Sequence, residues 1–393
     1  MRVLLVANTL PPTDLSGVGE QVMQLASGLR AAGHEVEVLG RGRGGARGPK
    51  VLFPLTVMPA FWRAVRRWRP HVVQVHESDG AGAALLTAVL GSMSAPRPRL
   101  VALLQVSYVR ERRAVRPLTF GGRMLGRPGP TERRFRWLKA PLQVTLGCLT
   151  AWLADLVLAP SETTADEIES DYRVTGVRVL PNVTGGLAWS ASESGSDPPQ
   201  GPYFLFVGRL RIRKGIEVLL HALARLRGYG TRLLLVGDGE HRRRVERAVA
   251  ALGLEASVEL VGRLSPGDVR TTLRGARALV VPSTYEGMPL VVLEAMELGV
   301  PVIASRVSGI PEVVVDGETG WIFEAEAVDE LAVALRAAWL DETEAKRRGA
   351  AGLARLDGHY RPVHAVERWQ ALIDSTWGEG ASIGGKMTPP VGD

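Results

Sequence analysis

The 393 residues are 46% hydrophobic and 23% charged, with 45 glycines, 25 prolines and a single cysteine, Cys148. This balance excludes a disordered chain, a collagen and a coiled coil, and the length favours two domains over one. One thiol excludes an internal disulfide or a cysteine-rich metal cluster, while the net charge of +7 is unevenly placed: residues 1–190 carry 24 Lys/Arg against 14 Asp/Glu, and the remainder 24 against 27.

The apolar start, Val3–Ala7, is too short for a signal peptide and reads as a buried first strand, which makes the cytoplasm the expected location. Further strand-like runs follow at Val36–Leu39, Val72–Val75, Leu100–Leu104 and Leu156–Ala159, then at Tyr203–Val207, Leu233–Val236, Val258–Val261, Ala278–Val281 and Val302–Ala304. Stretches of helical period, such as Ile216–Leu226 and Arg242–Leu252, separate them. Strand–helix alternation in both halves predicts two doubly wound α/β domains, residues 1–189 and 201–360. The Ser/Pro-rich stretch 190–200 is the expected linker. A helix within 361–377 follows, and the Gly/Pro tail 378–393 is expected to be disordered. The longest apolar region, Ala140–Ala159, is broken by Pro141, Gln143 and Asp155 and does not read as a membrane span.

In open parallel sheets ligands bind beyond the carboxyl ends of the strands, so the residues after each run are the informative ones. Gly208–Gly215 places Arg209, Arg211, Arg213 and Lys214 between a strand and a helix start, which is unfavourable unless an anion sits there. Arg209 and Lys214 are read as phosphate contacts, Arg211 and Arg213 as solvated. After Ala278–Val281 come Glu286, Gly287, Met288, Pro289 and Leu290, with Pro289 suited to a first helical turn and Glu294 about five residues into the helix. Carboxylates on either side of an amide-held pyrophosphate can accept paired hydrogen bonds from a sugar and a ribose. Gly237-Asp238-Gly239 is a tight turn that any strand–helix junction could require. Gly17-Val18-Gly19 lacks the third glycine of the dinucleotide fingerprint, with Val22 in its place, so a nicotinamide-dependent dehydrogenase is disfavoured. In the first half His76 and Glu77 form the polar pair at the ligand edge.

Gly17 with Gly33-His34-Glu35-Val36, Pro181-Asn182, Gly208-Arg209 with Lys214-Gly215, Gly237-Asp238-Gly239, and Glu286 to Glu294 fall in an order that resembles the retaining GT-B glycosyltransferases of family 4. The resemblance runs from Met1 to about Trp377. It implies two Rossmann-like domains facing across a cleft, with a C-terminal helix crossing back to the first. It also implies a nucleotide-sugar as co-substrate and no metal or other cofactor. Arg209 and Lys214 would meet the donor pyrophosphate, Glu286 the transferred sugar, Glu294 the ribose, amides of Gly287–Leu290 the sugar and phosphate, and Arg263-Leu264 the nucleobase; Gly17 would lie beside the donor. The acceptor, a small molecule, glycan or lipid-linked sugar, would meet His76, Glu77 and Gln105. The chain departs from the family pattern at Ser16 and Ser308, where a glycine is common, at Val183, and at Gln105, where members commonly have a histidine; glutamine does not titrate near neutrality.

Residues 97–139 hold twelve Lys/Arg against Glu111 and Glu132, and Phe61–Arg69 interleaves tryptophan with arginine. Both suggest an anionic membrane surface as a partner, with a solvated basic face as the plainer reading. No recognisable nucleic-acid-binding module appears. The competing functions are a membrane- or polyanion-binding protein on an inactive scaffold of this fold, and a nucleotide-sugar epimerase.

Overall fold

The computed structural model describes residues 1–11, 17–41, 49–93, 97–185 and 199–378. Ser16, most of the Ser/Pro-rich junction (190–198) and the tail from 379 onward lie outside the described residues. Every apolar run read as a strand is one. The first half holds β1 (Arg2–Ala7), β2 (Glu35–Gly40), β3 (Val72–His76), β4 (Arg99–Leu103), β5 (Leu118–Phe120), β6 (Arg123–Gly126), β7 (Leu156–Ala159) and β8 (Arg178–Val179). The second holds β9 (Phe204–Val207), β10 (Leu233–Val236), β11 (Val258–Gly262), β12 (Ala278–Val281), β13 (Val302–Ser305) and β14 (Gly320–Phe323).

Two six-stranded sheets result, ordered β2-β1-β3-β4-β7-β8 and β11-β10-β9-β12-β13-β14, with every pairing parallel. Helices cover both faces of each sheet, which is why the strands are near-continuous apolar runs; β3 is buried along its whole length. The order in which strands are added reverses between β1 and β3 in the first sheet and between β9 and β12 in the second, while all strands stay parallel. Loops leaving strands on either side of such a reversal splay apart and open a crevice, so these two points position the site.

Helix Pro362–Trp377 returns to the first domain as expected. Trp369 is fully buried there, its Nε1 donating to Gln74 Oε1 at 2.7 Å, while Arg368 Nε donates to the Val179 carbonyl at 2.7 Å. A second crossing was not legible in the sequence. The antiparallel hairpin β5–β6 leaves the first domain and docks on the second, where Leu118 is completely buried in the core built on β9, β10 and helix Ile216–Ala224. Among the described residues no helix is long and apolar enough to cross a membrane.

Candidate active site

The loops after β9 and β12 flank the reversal point of the second sheet and touch where Gly215 meets Pro282. Gly215 adopts φ 65°, and a Cβ there would stand 1.8 Å from the Pro282 carbonyl oxygen, so only glycine permits the approach. The approach brings Lys214 Nζ onto Glu286 Oε1, which also accepts from Ser283 Oγ at 2.7 Å. Burial by itself would raise the Glu286 pKa, but Lys214 and Arg213 outweigh it and hold the carboxyl below its usual range. Burial lowers the Lys214 pKa, and Glu286 works against that. Near neutrality the two form an ion pair at the point where the sheet opens.

Beside this pair lies a cleft of about 610 Å³ lined by Gly208, Arg209, Arg211, the turn Gly237–Glu240, Arg263 and Leu264. Its size is that of a small-molecule site. The Lys214 stem adjoins it, since Lys214 Cε is 3.9 Å from where a Gly208 Cβ would be. Arg209, Arg263 and Leu264 therefore come together as the sequence led one to expect. Arg213 does not match its solvated reading: it is largely buried and pairs with Glu111 of the first half at 3.2 Å. Pro289 occupies the cap position with extended backbone, so the helix begins one residue later, at Leu290, and runs to Glu297. Glu294 lies on that helix and is not among the residues that line the cleft. Burial, with Glu20 and Glu297 nearby, pushes its pKa up to about 8.

The first domain grips the loop after β12 from the other side. Tyr285 Oη accepts from the Ser107 N–H at 2.9 Å and donates to Glu167 Oε2 at 3.0 Å. Gln105 and Asn182 exchange two side-chain hydrogen bonds, 2.9 and 2.8 Å, and Asn182 Nδ2 also donates to the Met288 carbonyl at 3.0 Å. Gly287 lies so close to Gln105 that a Cβ would stand 2.1 Å from its carbonyl oxygen. Gly17 starts its helix against the Leu290 side chain, with 3.3 Å between Leu290 Cδ1 and the position of a Gly17 Cβ. Asn182 is thus the domain-bridging amide, and Gln105 holds it in place. Glu167 and the bonding role of Tyr285 were missed, because nothing local marks a tyrosine or glutamate whose partner lies more than a hundred residues away.

Of the expected acceptor residues, Glu77 follows the end of β3 and His76 lies within it; both are buried. β3 extends one residue beyond the apolar run, so His76 belongs to the strand: it is 1% exposed, within 3.2 Å of Gln74 Nε2, and burial lowers its pKa to about 3. It is a neutral interior group, contrary to the expected contact with an acceptor. Glu77 follows with φ 62° and ψ 178°, a region that side-chain-bearing residues rarely occupy and that costs about 1–3 kcal/mol. Its Oε1 accepts from the Gln105 N–H at 2.8 Å, and burial, only partly offset by Tyr108 and that N–H, pushes its pKa up to about 8. An acid with a raised folded-state pKa contributes stability below its unfolded value that is lost as pH rises through the folded value. Glu77 therefore contributes a decline in melting temperature between about pH 5 and 8, and Glu77→Gln should make the slope over that range less negative than in wild type. An unchanged slope in the variant, measured by thermal denaturation across this range, would contradict the buried-acid assignment.

Part of the positive charge of residues 97–139 is paired within the protein and is not free to meet an anionic partner. Arg97 pairs with Asp155, Arg110 with Asp171 and Arg116 with Glu326, at 2.5, 3.0 and 2.5 Å. What remains outside includes Trp137, Leu138 and Leu142, all more than half exposed, next to exposed Arg133, Arg134 and Lys139. Among the described residues, Glu132, Glu240 and His241 bring ligand atoms within 4.8 Å of one another, close enough to share a cation. Their carboxylates are already occupied by the N–H groups of Gly129, Thr131, Glu132 and Ile212 and by the imidazole, which makes this a hydrogen-bonded junction.

Comparison with known proteins agrees with this fold. Residues 15–184 match Glycosyltransferase Family 4 and residues 189–355 match Glycosyl transferases group 1, so that the two matches together span most of the chain. The chain is similar to a glycogen synthase of Mycobacterium tuberculosis, 27% identical over 96% of this chain and 93% of the relative. Among solved structures it resembles a sucrose-phosphate synthase of Thermosynechococcus elongatus, with TM-score 0.76, 22% identity and 96% and 99% of the two chains covered. It also resembles the Anabaena protein HepE in complex with UDP-glucose, with TM-score 0.65, 18% identity and 95% and 100% covered.

Proposed function

The chain belongs to the family 4-type glycosyltransferases of the GT-B fold, and from that premise we propose that it is a retaining, metal-independent hexosyltransferase using a nucleotide-sugar donor. The observation that carries this reading is the Lys214–Glu286 pair at the reversal point of the second sheet, adjoining the cleft lined by Arg209 and Arg263. Arg209 and Lys214 neutralise the pyrophosphate, whose charge grows as the bond to the sugar breaks. Glu286 accepts hydrogen bonds from the transferred sugar, amides of Gly287–Leu290 meet sugar and phosphate, Glu294 takes the ribose, and Arg263-Leu264 lies at the base. In transfer with retention, the anomeric carbon–phosphate oxygen bond breaks, the acceptor oxygen bonds to that carbon on the same face, and the acceptor proton passes to the departing phosphate oxygen. The UDP-glucose held by the similar Anabaena structure supports a donor of this class.

The acceptor is a hydroxyl of a small molecule, glycan or lipid-linked sugar, presented from the side of Glu77. The exposed Trp137, Leu138 and Leu142 among cations favour peripheral contact with an anionic membrane at the cytoplasmic face. The test is turnover of nucleotide-sugars with candidate acceptors in the presence of a chelator. Expected are release of nucleoside diphosphate and a product whose anomeric configuration, read by NMR coupling, matches the donor. Inversion or a strict divalent-cation requirement would overturn the finer reading. An epimerase would leave the nucleotide attached, and an inactive scaffold would release none. Flotation with phosphatidylglycerol vesicles tests the membrane contact: wild type should float and Trp137→Ser/Leu138→Ser should not. If wild type does not bind, the contact falls while the transfer reading stands.

A further inference from the structure

The phosphate-binding loop of the second domain is held from outside by the first half of the chain. The chain leaves the first domain near Val115 and returns near Arg136, whose Nη1 donates to the Val115 carbonyl at 2.8 Å and closes the base of the excursion. Between these points β5–β6 and the short helix Pro130–Arg134 lie on the second domain. Arg244 ties the hairpin down through the Leu125 carbonyl at 2.8 Å. At the tip, Glu132 is 2% exposed. Its Oε1 accepts from the Ile212 N–H at 2.8 Å, and its Oε2 accepts from His241 Nε2 at 2.9 Å. Glu240 accepts from the N–H groups of Thr131 and Glu132 at 2.9 and 3.0 Å.

Two features make this more than surface packing. Ile212 lies between Arg209 and Lys214, so the N–H held by Glu132 belongs to the loop carrying both cations assigned to the donor phosphates. Thr131 and Glu240 themselves line the cleft beside Arg209 and Arg263. The junction is also charged. Burial alone would lower the His241 pKa, but the hydrogen bond to Glu132 and the Glu217 carboxylate 3.5 Å away raise it to about 9. The other charged groups facing it are Arg244, paired with Glu217 at 3.1 Å, Glu240, and Arg211 and Arg213, which act on Glu132. A carboxylate buried this deeply is costly unless it is fully paired, and here each oxygen has a partner.

We infer that Glu132 is a positioning residue of the donor site: lent by the first half of the chain, it fixes the Ile212 N–H and thereby the placement of Arg209 and Lys214, while Thr131 completes the wall of the cleft. This inference rests on the donor-site reading above. Its consequence is that an N-terminal segment sets donor affinity without touching the donor's phosphates.

The test compares three variants of the full chain. Glu132→Ala removes the acceptor for Ile212. Glu132→Gln/His241→Gln removes both charges but retains an acceptor. Glu132→Leu/His241→Leu removes acceptor and charges together, and such paired replacement of a buried ion pair is commonly tolerated by the fold. Affinities for UDP, GDP and ADP are measured by calorimetry, and amide exchange of Ile212 is followed in the unliganded protein. Expected are a loss of affinity of about tenfold or more in the Ala and Leu/Leu variants, with affinity near wild type in Gln/Gln. The Ile212 amide should exchange about tenfold or more faster in Leu/Leu, with Leu205 and Leu235 in the central strands still protected. A folded Leu/Leu protein with wild-type Ile212 protection, or with wild-type nucleotide affinity, would overturn the inference. If wild type binds none of the nucleotides, the donor-site reading fails, and the exchange measurement still decides whether Glu132 holds the loop.

Discussion

Glu286→Gln is expected to reduce sugar transfer by at least about 10²–10³-fold while leaving a folded protein that still binds nucleotide. Glutamine keeps the size of the side chain and an acceptor for Ser283, but loses the charge that faces Lys214. Three features make the effect large. The carboxylate sits at the end of β12, where the sheet opens. It is 7% exposed, so its interactions are weakly screened by water. It is also ionised near neutrality despite that burial, because Lys214 and Arg213 stand beside it. A neutral amide there would leave the Lys214 ammonium without its partner and a transferred sugar without a strong hydrogen-bond acceptor. Lowered thermal stability alone would not explain the loss if the variant unfolds cooperatively above the assay temperature. Turnover within about twofold of wild type would remove Glu286 from the transfer step.

The sheets were legible because each strand is covered on both faces, so its sequence is a short apolar run between helical stretches. β14, Gly-Trp-Ile-Phe, and the two-residue β8 escaped this criterion, the first because it opens on glycine straight after a polar turn and the second because it is too short to show a pattern. The hairpin β5–β6 escaped for a different reason. Leu118 is its one fully buried apolar side chain, and the surface that buries it lies in the other half of the chain. Local counting likewise overstated the free charge of residues 97–139, since Asp155, Asp171 and Glu326 are distant in sequence. The residues proposed for the donor side were readable because a cluster of cations at a helix start and carboxylates after a strand end are unfavourable without a ligand. Those expected on the acceptor side were harder to place. His76 differs from the expectation by a one-residue extension of β3, which is enough to turn a side chain inward. The strain and burial of Glu77 are properties of its backbone and surroundings that the residue type does not announce.

Arg209→Ala is the second change expected to act strongly, since Arg209 is exposed at the cleft and Lys214 is already engaged by Glu286. Loss of a charge-assisted contact to a phosphate should weaken donor binding by about tenfold or more, with little cost to the fold. The most direct test of the whole account is therefore a thermal-shift panel of UDP-, GDP-, ADP- and dTDP-sugars on wild type and Arg209→Ala. A ligand that binds only the native state raises the melting temperature by mass action. The account predicts a rise with one nucleotide class in wild type and loss of that rise in the variant. No rise with any of the four donors, or a rise that the variant retains in full, would contradict a nucleotide-sugar site at Arg209.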